Sequence, residues 1–146
     1  MKIYLDTCCY SRPFDDQRIE RIRLETISIE YIFNRVDIGL FELVGSDVLE
    51  FELNLNPDEL KRGLSLELLN KSRNEILLNR DMIDYAKEIE KFGFKTFDSL
   101  HISIAINNKI DVLLTTDDKL VSLAKKNKNK INIKIENPIE FIKEYL

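Results

Sequence analysis

Four short segments each deliver a carboxylate where an apolar strand or helix meets a loop: Tyr4-Leu5-Asp6-Thr7, Ser46-Asp47-Val48-Leu49-Glu50-Phe51-Glu52, Phe97-Asp98-Ser99-Leu100-His101 and Leu113-Leu114-Thr115-Thr116-Asp117-Asp118. Carboxylates scattered along a chain but gathered in space repel one another and raise each other's pKa values unless a positive charge sits among them. A hard divalent cation, Mg²⁺ or Mn²⁺, suits such all-oxygen ligands. Two of these ions, roughly 4 Å apart, activate water and stabilise the departing oxygen of a phosphodiester. The chemistry implied is metal-dependent hydrolysis of nucleic acid, RNA foremost.

Each acid also has a plainer reading. Asp98 is a favourable charge near a helix N-terminus, Asp117 an N-cap, and Glu52 a solvated helix residue. Asp6 stands apart, because a carboxylate directly after a buried strand is costly without a partner. The case rests on the set, since Asp6, Asp98 and Asp117 all fall at strand ends or helix starts, which share one edge of a parallel sheet, and Glu52 can reach that edge from its helix.

The elements that must position these acids follow from hydrophobic spacing. Lys2-Ile3-Tyr4-Leu5-Asp6 reads as a short buried strand, and Pro13 gives 11–17 the character of a loop. Apolar residues at helical spacing predict a long amphipathic helix over 18–36. A strand over 41–45 follows, then a helix capped by Ser46 or Asp47 and running through Glu52. Pro57 and Asp58 open a helix carrying Leu60, Leu64 and Leu68. A strand is expected over 75–78, and a helix marked by Met82, Tyr85, Ala86 and Ile89 stops near Gly93. Thr96 caps a helix holding Asp98 in its first turn, 111–115 is a buried strand, and Asp117 caps the next helix. An alternating strand over 131–135 and a helix over 138–146 close the chain. Strands alternating with helices predict one α/β domain over 1–146, a mostly parallel, Rossmann-like sheet with helices on both faces.

The net charge of −4 argues against holding nucleic acid by bulk electrostatics, though cations in an acidic pocket present a locally positive face. A single histidine excludes a His-rich zinc site, and adjacent Cys8 and Cys9 are expected to be reduced. The opening residues are too soon interrupted by charge for a secretory signal and no apolar run is long enough for a bilayer, so the expectation is a cytoplasmic protein without membrane contact.

The chain resembles PIN-domain proteins, similar to the VapC-type toxins of bacterial and archaeal toxin–antitoxin pairs. The family's opening strand with Leu-Asp-Thr matches Leu5-Asp6-Thr7, and its Ser followed six positions later by Glu matches Ser46 and Glu52. Its Asp-Ala-Leu-like segment matches Asp98-Ser99-Leu100, and its Thr-x-Asp matches Thr115-Thr116-Asp117; together these run from residue 3 to about 142. The resemblance implies a PIN-like fold, Mg²⁺ or Mn²⁺ held by Asp6, Glu52, Asp98 and Asp117, and Thr115 supporting the last acid through its hydroxyl. It implies an RNA substrate, a cognate antitoxin protein and a protein that can form a homodimer. Asp118 adjoins Asp117 and is an alternative metal ligand, directly or through water. Glu50 competes with Glu52, but two residues apart on a helix they cannot both face the site, and spacing selects Glu52. The chain departs from many relatives at Cys8, where they carry Asn and its hydrogen-bonding amide.

Arg12 is expected to pair with Asp15 or Asp16 more than to hold a phosphate. His101, one turn after Asp98, is read as a packing residue and the Lys125, Lys126, Lys128 and Lys130 run as a solvated helix end. Two other functions fit less well: a catalytically weak or inactive PIN-fold interaction module, and an α/β phosphohydrolase using Asp6 as a phosphorylated nucleophile.

Overall fold

Ile3, Tyr4 and Leu5 are fully buried because their strand, β1 (Lys2–Leu5), lies at the centre of a sheet covered on both faces. The computed structural model describes residues 1–72 and 74–146. β1 pairs with β2 (Glu42–Ser46) on one side and β4 (Val112–Leu114) on the other, with Ile3 in register with both Leu43 and Val112. β3 (Asn74–Ile76) and β5 (Lys134–Glu136) form the edges, giving the order β3-β2-β1-β4-β5. Every pairing is parallel, so the sheet goes beyond the mostly parallel expectation.

The chain winds outward from β1 to β3 through α1 (Thr7–Ser11), α2 (Glu20–Asp37), α3 (Asp47–Asn54) and α4 (Glu59–Leu69). It then crosses back through α5 (Arg80–Glu90) and α6 (Thr96–Asn107) to β4, and through α7 (Asp118–Lys126) to β5, ending in α8 (Pro138–Ile142). The reversal of direction makes the gap between β1 and β4 a topological switch point, where the loops at the carboxyl ends of the strands part to leave a crevice. Asp6 follows β1 there and Asp117 follows β4.

Several boundaries differ from the sequence expectation. Ser11 ends α1, and Arg12–Phe14 form a 3₁₀ turn instead of open loop, because the Asp6 side chain caps the first helical amide. Thr96 is the first residue of α6 and not its cap; Lys95 precedes it and caps with no side-chain hydrogen bond. Ile131 is buried but lies outside β5, and the last helix turns 3₁₀ over Lys143–Tyr145. Gly93 does follow α5 with a φ of +99°, as a helix-stopping glycine should. Gly45 in β2 permits a close approach, since a Cβ there would stand 2.5 Å from Ser72 Oγ.

Candidate metal centre

Asp6, Glu52, Asp98 and Asp117 line one cleft of about 340 Å³ at the switch point, together with Thr7, Cys8, Lys95, Thr96 and Phe97. Asp6 is 6 % exposed, and its carboxylate is held from two sides. Oδ1 accepts the Thr7 N–H at 2.8 Å, the bond that starts α1, and Oδ2 accepts the Thr115 hydroxyl at 2.8 Å. Thr115 Oγ1 in turn accepts the Asp117 N–H at 3.1 Å. The threonine expected to support the last acid therefore gives its proton to the first acid and a lone pair to the last one's backbone. Asp117 caps α7 by accepting the Lys119 and Leu120 amides at 2.9 and 3.3 Å.

Cys8 occupies the place where an amide was missed. Its sulfur accepts the Thr116 N–H at 3.3 Å and lies 3.5 Å from Asp6 Oδ2, so the thiol joins the support of the site. Burial pushes the neighbouring Cys9 thiol well up, and both cysteines are free.

Glu52 reaches the cleft from the second turn of α3, whose start is set by Ser46 accepting the Leu49 N–H at 3.1 Å. Its Oε1 receives the Thr7 hydroxyl at 3.2 Å and His101 Nε2 at 2.7 Å. Glu50 lines a separate pocket with Ser72 and Glu75. Glu75 there is pushed up by burial and then by Glu50.

Asp98, in the first turn of α6, receives no hydrogen bond from the described residues. Burial, then the charges of Asp6 and Asp117, with a smaller push from Glu52 against His101, raise its pKa from 3.8 to about 6. The acids thus share one electrostatic field with too little positive charge in it. An all-oxygen donor set of this kind, with one carboxylate unpartnered among the described residues, fits a hard divalent cation. Asp6, Glu52 and His101 also each offer a ligand atom within 4.8 Å of the others.

Asp118 lies elsewhere. Its carboxylate takes a two-pronged bond from Arg21 at 2.6 and 2.6 Å, which holds its pKa below the usual range. It lines a larger cleft of about 800 Å³ between α7 and β5, with Lys125, Lys134 and Glu136. Charges in that cleft neutralise one another, Arg21 with Asp118 and Lys134 with Glu136, unlike the acids at the switch point. Arg12 pairs with Asp15 at 3.0 Å and also donates to Thr116 Oγ1 at 2.8 Å, fixing the loop after α1.

His101 was not among the expected site residues, yet it is 2 % exposed and bonded at both nitrogens. Nδ1 meets the Tyr4 hydroxyl at 2.7 Å and Nε2 meets Glu52. Tyr4 also bonds Ser46 Oγ at 2.8 Å, and burial raises the phenol well above its ordinary pKa, so it stays a proton donor. The available signal was spacing: three residues after Asp98 on one helix, His101 shares its face.

The PIN domain family model matches residues 3–126 of the chain. Among solved structures, VapBC2 from Rickettsia felis bound to a DNA fragment from their promoter aligns with a TM-score of 0.61 at 16% identity, covering 94% of this chain and 98% of that one. VapBC-1 from nontypeable Haemophilus influenzae aligns with a TM-score of 0.56 at 16% identity, again over 94% of this chain and 98% of that one. No curated protein matches the sequence.

Proposed function

The chain belongs to the PIN domain family, and on that premise we propose that it is a metal-dependent endoribonuclease and the toxin of a toxin–antitoxin pair. Asp6, Glu52, Asp98 and Asp117 hold Mg²⁺ or Mn²⁺ in this reading. The observation that carries it is Asp98, a carboxylate without a hydrogen-bond partner among the described residues and raised to about 6 by burial and by the other acids of the same cleft. A cation bound there supplies Lewis-acid polarisation of a phosphodiester and lowers the pKa of water. The protein's own groups set up that chemistry. Thr7, Thr115 and Cys8 fix Asp6, the helix start of α7 fixes Asp117, and Lys95 on the cleft wall meets the phosphate backbone.

The toxin role is supported by the fold shared with the two VapBC assemblies. It brings a small antitoxin that covers the cleft, a cytoplasmic setting and a homodimer. No helix among the described residues is long and apolar enough to cross a membrane. In the alternative, an inactive interaction module, Cys8 and the acidic surface disfavour RNA; the contacts of the Cys8 sulfur with Asp6 and Thr116 support the active reading. A nucleophilic Asp6 fits less well because that chemistry wants a second acid two residues later, where this chain has Cys8.

Incubating purified protein with single-stranded RNA and, separately, single-stranded DNA in Mg²⁺ or Mn²⁺ tests the proposal. Cleavage of RNA that stops with chelator and falls at least about a hundredfold in Asp98→Asn is expected, a loss of ~2.7 kcal/mol or more in transition-state stabilisation. Cleavage undiminished in that variant, or indifferent to chelator, overturns it.

A further inference from the structure

We infer that His101 is a positioning residue for Glu52 and not a metal ligand, locked as its Nε2–H tautomer by a one-way chain of hydrogen bonds that begins at the α3 backbone. The metal half of this inference rests on the function proposed above; the tautomer does not.

Proton counting gives the chain its direction. The Leu49 N–H can only donate, and it donates to Ser46 Oγ at 3.1 Å. Ser46 is fully buried, and the other partner of its hydroxyl among the described residues is the Tyr4 hydroxyl at 2.8 Å, so the Ser46 proton points there. Tyr4 then spends its own proton on His101 Nδ1 at 2.7 Å. Nδ1 is therefore the acceptor, the ring proton sits on Nε2, and it is donated to Glu52 Oε1 at 2.7 Å. The reverse direction leaves the Ser46 proton without an acceptor among the described residues and turns an Nε2 lone pair on a Glu52 oxygen that can only accept. Asp6 Oδ1, at 4.0 Å from Nε2, is too far to compete for the proton.

The consequence reaches the metal. Asp6, Glu52 and His101 look by composition like a mixed oxygen and nitrogen site, which suits zinc. An Nε2 that carries a proton has no lone pair to give. His101 instead turns one Glu52 oxygen and leaves the centre all-oxygen, the preference of Mg²⁺ and Mn²⁺. Outer partners of this kind typically set about ten- to a hundredfold of metal affinity.

His101 is the only histidine in the chain, so protein labelled with ¹⁵N-histidine shows one imidazole in a long-range ¹H–¹⁵N spectrum. A single Nε2–H tautomer, unchanged by Mg²⁺, is expected. A proton on Nδ1, protons on both nitrogens, or loss of the Nε2 proton on adding Mg²⁺ overturns the inference, and this arm needs no variant. Mn²⁺ titration followed by electron paramagnetic resonance supplies the second arm. Tyr4→Phe keeps the ring and deletes only the donor, so His101 Nδ1 loses the bond that fixes the orientation of the imidazole on Glu52, which should weaken Mn²⁺ binding about tenfold. His101→Leu should do the same, and His101→Gln, whose amide can stand in for Nε2–H, should recover most of it. Unchanged affinity in Tyr4→Phe and His101→Leu, with Asp98→Asn weakened, overturns the positioning role alone. A wild type that takes up no Mn²⁺ overturns the ribonuclease reading and the positioning role with it.

Discussion

Thr115 Oγ1 donates to Asp6 Oδ2 across 2.8 Å, tying the end of β4 to the end of β1 at the point where the sheet changes direction. Thr115→Val keeps the shape and removes the proton, leaving a buried carboxylate oxygen and the Asp117 amide each short of a partner. Unmade buried bonds cost about 1–3 kcal/mol, so urea unfolding should show a loss of that order. Divalent-cation affinity, read by calorimetry, should fall roughly tenfold because the donor that orients Asp6 is gone. An unaltered affinity with lowered stability would confine Thr115 to a structural part.

Asp98 makes stability depend on pH in a direction opposite to that of a salt-bridged acid. Burial, followed by Asp6 and Asp117, lifts its pKa from 3.8 to about 6, so between those values the folded chain holds the proton more tightly than the unfolded one. Its contribution is complete below 3.8 and is lost as pH rises through about 6. In chelator at about pH 7.5, Asp98→Asn should therefore be more stable than wild type, on the order of 1 kcal/mol after discounting for solvent screening at a partly exposed group. The difference should vanish near pH 4. A destabilised Asn variant at the higher pH would mean that the repulsion among the acids is not felt.

The same field predicts how metal acts on stability. A cation that binds the folded cleft at a hundred times its dissociation constant adds ~2.7 kcal/mol, worth roughly 5–10 °C in melting temperature for a domain of this size. Melting curves in Mg²⁺ and Mn²⁺ should show this gain at about pH 7.5 and much less at about pH 5, where Asp98 keeps its proton. A gain equal at both values would point to binding outside this cleft.

The resemblance selects Asp117 for the site and leaves its neighbour Asp118 as an alternative ligand, and the fold sets the two apart. The helix cap turns Asp117 into the cleft, whereas Asp118 begins α7 and meets Arg21 on α2, a contact across 97 residues of chain that spacing cannot foresee. The pattern of strands and helices was otherwise readable, since buried strands and the long amphipathic α2 carry their own periodicity. α1 was missed because the five residues Thr7–Ser11 are too few to show a period. His101 was passed over for a related reason: its partners Tyr4 and Glu52 lie 97 and 49 residues away and become visible only once the sheet brings β1, α3 and α6 together. For the two acids, Asp117→Asn should lose RNA cleavage by at least about a hundredfold, as expected for a group that acts in the transition state. Asp118→Asn should cost less than about threefold and, as half of an exposed and solvent-screened ion pair, leave stability little changed. Reversed losses would transfer the site to Asp118.

Among the described residues lining the acidic cleft, Lys95 is the one basic side chain, exposed at the residue before α6. An exposed cation on the cleft wall suits contact with a phosphate on the nucleic-acid chain, a contact made equally in the bound substrate and in the transition state. Removing such uniform binding raises KM and spares kcat. Lys95→Ala should accordingly raise KM for RNA by about three- to tenfold with kcat within about twofold. The salt dependence of binding should flatten by about one unit of slope, since one phosphate contact and its released counterion are lost. A fall in kcat at constant KM would instead make Lys95 part of the chemistry.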